Sequence, residues 1–388
     1  MSEVQTGIQE TNTGSYTGSE QKAILEEGGV KVRLLTQNIF MRPPLINNNG
    51  DDFKQERLDW FIKNVLDKYD VICLEEMFKF GSGRKTQLIK AAKARGLVYN
   101  ATTPSKGFFD FGIDSGLLIL SRYPIEHKES IQYPRGVHSD ALSLKGALYA
   151  RIKVEKENNL SVSNSSSADS DSSTSKYLNI FVTHTQASYT NTALTEPSVR
   201  VRLSQFHMLR KFMDKVLKTT YKVGEPLIIL GDLNVNSRTH IITDETRKFE
   251  DNEKDGIDHS TEYTMMMNIL RGVGIGDPKV LSPKHTDTFS SEDKLVFKDI
   301  IYESYKYHPV TFGNIIISED GETAKPMEKA ITSKDSNMVM DSIDYILWYE
   351  GKANPDTSSE IAVKSKYSSV RVEEFFAENE KFTQLSGK

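Results

Sequence analysis

From residue 31 onward, short apolar runs alternate with stretches whose apolar positions recur at helical spacing, the pattern of an α/β domain. VRLLTQNIF (32–40) and DVICLEEMF (70–78) predict strands. Between them Phe53, Leu58, Phe61, Ile62, Val65 and Leu66 lie mostly at helical spacing, giving a strand, helix, strand unit. A second helix is predicted over Lys85 to Arg95, ended by Gly96. SGLLILSRYPI (115–125), ALYARIKVE (147–155) and YLNIFVTHT (177–185) predict further strands. A long helix follows, with Pro197 near its first turn and Val199, Leu203, Phe206, Leu209, Met213 and Val216 on one face. It leads into LIILGDLNVNS (227–237), whose unbroken run Leu227, Ile228, Ile229 and Leu230 predicts a strand buried on both faces. SIDYILWYE (342–350) predicts another strand.

Two polar stretches interrupt this pattern. Residues 1–30 are rich in Gly, Ser, Thr, Gln and Glu, lack the basic start and apolar block of a signal peptide, and predict a disordered tail. A Ser-rich insert at about 157–176 is too polar to bury anything and predicts a mobile loop between two strands. With no internal repeat and no linker, residues 31–388 are expected to form one domain.

Composition narrows the partners. Hydrophobic residues make up 37% of the chain, enough for a core, and 49 basic against 54 acidic residues leave a charge of −5. Nothing in that balance advertises a nucleic-acid partner. The one cysteine, Cys73, lies inside an apolar run, so no disulfide can form within the chain and a reducing compartment fits best. No run approaches the roughly 20 apolar residues that span a bilayer. A cytoplasmic protein, at most peripheral on membranes, is expected.

The candidate chemistry sits where the apolar strands stop. Asn38, Glu76, His184, the pair Asp232 and Asn234, and Asp344 each fall in or just past a strand. Near the ends of strands in one sheet, such groups converge on a crevice. Singly each has a structural reading, and Asp232 with Asn234 next to Gly231 would make an Asx turn. Together they supply hard oxygen ligands and a histidine, with no thiolate to select zinc, which suits Mg²⁺, Mn²⁺ or Ca²⁺. A cation held by one or two carboxylates beside an amide and an imidazole stabilises charge on phosphate oxygens during water attack. The residues alone point to metal-assisted phosphoester hydrolysis.

Six motifs occur in order over residues 32–350: QN (Gln37, Asn38), DVICLEE (Asp70 to Glu76), SGLLILSRYPI, THTQA (Thr183 to Ala187), GDLNVN (Gly231 to Asn236) and IDYIL (Ile343 to Leu347). As an ordered set they resemble the endonuclease/exonuclease/phosphatase, or DNase I-like, superfamily. Within it, the THTQA form, the SGLLILSRYPI strand and LKGALYARI, with Lys145, are most similar to the neutral sphingomyelinases. The resemblance implies an α/β fold, a two-sheet β-sandwich flanked by helices. It implies Mg²⁺-dependent (or Mn²⁺-dependent) hydrolysis of sphingomyelin, or a related choline phospholipid, to phosphocholine and ceramide during transient contact with a membrane surface. Glu76 would ligate the metal with Asn38 beside it, and Asp232 would position the attacking water. Asn234 and His184 would stabilise the oxyanion, Lys145 and Asn234 would bind substrate, and Asp344 would orient a general base.

The chain departs from this family at its Ser-Asp-His motif, whose histidine is the base and after which a last strand is expected. If Ser386 matches the serine, Gly387 and Lys388 stand where Asp and His are expected, and the last strand of the sandwich has no counterpart. His138, His308, or His285 with Asp287 are the substitutes the sequence offers. Phe108, Phe109 and Phe111 in GFFDFG (107–112) would suit an interfacial loop. A nuclease or other phosphodiesterase of the same fold, and a non-catalytic lipid- or partner-binding relative or truncated form, are the competing readings.

Overall fold

The computed structural model describes residues 30–44, 46, 52–104, 114–154, 176–188, 194–239, 256–274, 293–317, 324–327, 331, 339–352, 369–372, 375–376 and 386–387. The N-terminal tail up to residue 29, the Ser-rich insert up to residue 175, GFFDFG and the His285 and Asp287 pair lie outside the described residues. In chain order the elements are β1 (Leu34–Met41), α1 (Lys54–Asn64), β2 (Val71–Met77), α2 (Arg84–Ala94), β3 (Tyr99–Thr102), β4 (Leu118–Ser121) and β5 (Ile125–Gln132). Next come β6 (Gly146–Val154), β7 (Lys176–His184), α3 (Pro197–Thr219), β8 (Leu227–Asp232), α4 (Thr261–Arg271), β9 (Leu295–Asp299) and α5 (Ile300–Tyr305). Short strands β10 (Phe312–Gly313), β11 (Ile315–Ile317), β12 (Ala324–Pro326) and β13 (Met340–Asp341) precede β14 (Asp344–Lys352), and β15 (Phe375–Phe376) pairs with β16 (Ser386–Gly387).

Two mixed sheets face each other. One has the order β1-β2-β4-β3 and the other β5-β6-β7-β8-β14-β9. Parallel pairing is confined to β1 with β2, crossed over by α1, and β7 with β8, crossed over by α3. Side-chain alternation then builds three apolar layers. Val71, Cys73, Ile119, Ile180, Val182, Ile228 and Leu230 fill the space between the sheets. Phe181, Leu227 and Ile229 point outward under α3 and α4, while Ile72, Leu74 and Leu120 point outward under α1 and α2. Leu227 to Leu230 is therefore buried on both faces, as its continuous apolar run predicts. Of the described residues, no helix is long and apolar enough to cross a membrane.

One predicted strand divides. SGLLILSRYPI enters the first sheet as β4, turns through Arg122, Tyr123 and Pro124, and re-emerges as β5 at the edge of the second sheet. Pro124 lacks the N–H that a continuing ladder needs. The charged edge strand IEHKESIQ alternates only partly, so its pattern gave little sign of a strand.

Gly231 sits where β8 is crowded by β7 on one side and by Glu75 of the other sheet. Its φ is +130°, and a Cβ there would fall far inside contact distance of the Thr183 carbonyl oxygen and 3.0 Å from Glu75 Oε1. Gly231→Ala is expected to cost about 3 kcal/mol of stability through strain and overpacking. An unchanged urea midpoint would sink this account.

Candidate active site

Each candidate residue stands at the same end of the two sheets. Asn38, Glu76, His184 and Asp232 are at or near the C-terminal ends of β1, β2, β7 and β8. Asp344 opens β14 directly opposite Asp232 in the antiparallel register, so both carboxylates lie on one face. Lys145 immediately precedes Gly146, the register partner of His184.

Asn38 is the centre of the arrangement. Its Nδ2 donates to Glu76 Oε1 at 3.1 Å and to Asp232 Oδ2 at 2.9 Å, drawing one carboxylate from each sheet together. Its Oδ1 accepts from the Phe40 amide at 3.1 Å, so the amide presents N–H rather than oxygen to the carboxylates. Asn38 thus braces the two acids in this arrangement. His184, buried, has Nε2 3.9 Å from both Glu76 Oε1 and Asp232 Oδ2.

Two of these residues owe their direction to unusual backbone. Glu76 has φ +53° and Asn234 φ +51°, the left-handed region that residues with a Cβ seldom adopt. The equal projection of Asp232 and Asn234 expected from an extended strand is therefore replaced. β8 ends at Asp232, and Asp232 Oδ1 accepts from the Asn234 amide at 3.1 Å, an Asx turn. Asn234 Nδ2 then donates to the Thr185 carbonyl at 3.0 Å, tying the GDLN turn to the histidine loop. The turn and the chemistry are compatible, because the turn uses one oxygen of Asp232 and leaves the other toward Asn38.

Lys145 is deeply placed. Its Nζ lies 2.7 Å from His184 Nε2 and 3.5 Å from Asp140 Oδ1, and all three side chains are buried. The same Nζ lies 3.2 Å from His184 Nδ1, so the lysine head sits against both ring nitrogens.

The sequence did not single out the supports of the THTQA loop. Asp140 Oδ2 accepts from the Ala187 amide at 2.7 Å, Gln205 Oε1 accepts from the Gln186 amide at 2.8 Å, and Arg202 donates to the Gln186 carbonyl while pairing with Glu262. Arg202 and Gln205 are two of several polar residues, with Ser204, His207 and Arg210, that α3 buries among its apolar ones.

The substitute bases are not equivalent. His138 is exposed on a short 3₁₀ turn. His308 is buried among His259, Tyr263 and Tyr302, with Nε2 2.8 Å from His259 Nδ1. Burial, with His259 and Arg238 adding to it, pushes its pKa down to about 3 from 6.5. Between those values the unfolded chain binds a proton that the folded chain refuses, so this group costs stability as pH falls below 6.5. The stability of His308→Gln relative to wild type is expected to rise by about 1 to 3 kcal/mol between pH 7 and 4.5, read from urea midpoints. A flat difference would contradict it. Asp299, pushed up to about 6 by burial, has the opposite pH trend and cancels in that comparison.

The donor set fits a hard divalent cation. Two carboxylates converge beside an amide, and among the described residues no three His, Cys, Asp or Glu side chains form a fuller cage. That is the sparse protein contribution Mg²⁺ accepts, the other positions being left to water and substrate phosphate.

The surrounding sequence has relatives. The chain is 29% identical over 378 residues to a sphingomyelinase of Dictyostelium discoideum, covering 88% of this chain and 74% of that one. It is 23% identical over 311 residues to a phospholipase C of Staphylococcus aureus, covering 76% of this chain and 84% of that one. A beta-hairpin deletion mutant of beta toxin from Staphylococcus aureus superposes with a TM-score of 0.47 at 18% identity, over 91% of this chain and 100% of that one, too loosely to carry an argument. Residues 36–365, which hold every strand-end group described above, match the Endonuclease/Exonuclease/phosphatase family, and the chain belongs to it.

Proposed function

We propose that the chain is a Mg²⁺-dependent phosphodiesterase that hydrolyses sphingomyelin to ceramide and phosphocholine. The observation that carries this reading is the meeting of Glu76, Asp232 and His184 around the Asn38 amide, with Lys145 behind His184. Relatives named sphingomyelinase and phospholipase C, both phosphodiester hydrolases, support the reaction class. Nothing in the charge of −5 favours a nucleic-acid substrate.

Glu76 would hold the cation, with Asp232 sharing it or orienting the attacking water. A bound Mg²⁺ supplies Lewis-acid stabilisation of charge on the phosphoryl oxygens. Water adds to phosphorus as the bond to the ceramide oxygen breaks, and the leaving alkoxide takes up a proton. Asn234 and His184 would donate to the oxyanion. Lys145 adds positive charge behind them, where low dielectric strengthens it. Sphingomyelin sits in a bilayer, so turnover requires transient contact with a membrane surface.

The test is phosphocholine release from sphingomyelin in mixed micelles, with Mg²⁺ and with chelator, and Glu76→Ala as the control. Release that needs both the cation and Glu76 supports the reading. A folded wild-type protein that releases no more than the control leaves a non-catalytic relative, and cleavage of oligonucleotides instead would place it with the nucleases.

A further inference from the structure

Glu76 holds a left-handed backbone at φ +53° one residue before the end of β2, and surrounding structure must impose that conformation. The imposing contact is Gly116, at φ +67° on the way into β4. Its carbonyl accepts from the Met77 amide at 2.8 Å, and a Cβ on it would meet Glu76 Cα at 3.0 Å and Phe78 Cε1 at 2.9 Å. Gly116 is fixed in turn by Asp114, whose Oδ1 accepts from the Gly116 amide at 3.1 Å. Asp114 Oδ2 faces the Lys79 amide and Lys85 Nζ, both at 3.4 Å. One buried carboxylate therefore joins three segments: the exit from β2, the entry to β4 and the first turn of α2.

Lys85 and Asp114 are 5% and 6% exposed. Burial pushes the lysine pKa down, with Asp114 opposing the shift. A buried ion pair is a weak source of net stability and a better device for fixing geometry. We propose that Asp114, neutralised by Lys85, is a positioning residue that clamps both flanks of Glu76 and aims its carboxylate at the cation. This rests on the reading of Glu76 as a metal ligand. Partners of metal ligands commonly alter affinity without touching the ion.

The test uses Mn²⁺ alone as probe, with free Mn²⁺ counted by electron paramagnetic resonance. Lys85→Met with Asp114→Ala removes both charges together, so no lone buried charge penalises the fold. This double variant is expected to melt cooperatively and to bind Mn²⁺ about tenfold or more weakly than wild type, with kcat for phosphocholine release recovering at saturating metal. Should it not fold, Asp114→Asn, which keeps an acceptor for the Gly116 amide but withdraws the charge from Lys85, is expected to weaken Mn²⁺ by at least about threefold. Wild-type binding that depends on Glu76 but is unchanged in the folded variants overturns the clamp alone. Wild-type binding no tighter than that of Glu76→Ala overturns the metal reading, and the clamp with it.

Discussion

Glu76→Ala is expected to lower Mg²⁺-dependent phosphocholine release by about 10³-fold or more while the protein still melts cooperatively. A Lewis-acid cation supplies several kcal/mol of transition-state stabilisation, and each 1.36 kcal/mol is tenfold in rate, so losing its ligand costs about three decades. The fold does not depend on this side chain. Its contacts are polar, an Asn38 amide and the His184 ring across 3.9 Å, and it belongs to none of the apolar layers. Removing it also relieves the repulsion of two carboxylates sharing one amide. The metal-free variant should therefore melt no lower than metal-free wild type. Wild type should gain about 2.7 kcal/mol of stability at a Mg²⁺ concentration of 100 Kd, and the variant should gain almost nothing. Activity within tenfold of wild type, or an equal melting response to Mg²⁺, would remove Glu76 from the site.

Much of this geometry is legible because strands and turns leave local marks. Unbroken apolar runs such as Val71 to Leu74 and Leu227 to Leu230 identify strands buried on both faces, and a polar residue ending such a run stands at the crevice. The turns repeat one device: Asn38, Asp114, Asp232 and Asn236 each accept from the amide two residues on. The patterns could not show which way the backbone turns next. The left-handed Glu76 and Asn234 keep company with partners distant in sequence: the Met77 amide donates to the Gly116 carbonyl beside one, and the side chain of the other donates to the Thr185 carbonyl. Nor does local sequence distinguish a buried lysine from a solvated one. Lys85 reads as an ordinary charge at a helix start, and only Asp114, 29 residues on, makes it part of the site's frame.

Gly387→Asp combined with Lys388→His is expected to raise the rate of phosphocholine release by about 10² to 10⁴-fold, the range a positioned general base contributes. The argument begins at Asp344. It stands opposite Asp232, its amide and that of Ile343 both donate to Thr311 Oγ1, and the resemblance implies that it would orient an imidazole. Of the histidines that might answer it, His184 is engaged by Lys145 and His308 by His259. β16, formed by Ser386–Gly387, lies against β1, the strand that carries Asn38. A Ser-Asp-His sequence at 386–388 would supply the histidine that the resemblance implies as the base. Histidine suits the task because its pKa lies near working pH, so the gain should appear with a new acid limb in the rate profile near pH 6 to 7. Asp344→Asn should abolish most of the gain, since an unoriented base transfers protons poorly. A double variant that folds, binds Mn²⁺ like wild type and turns over no faster would show that the reaction does not wait on a base at this position.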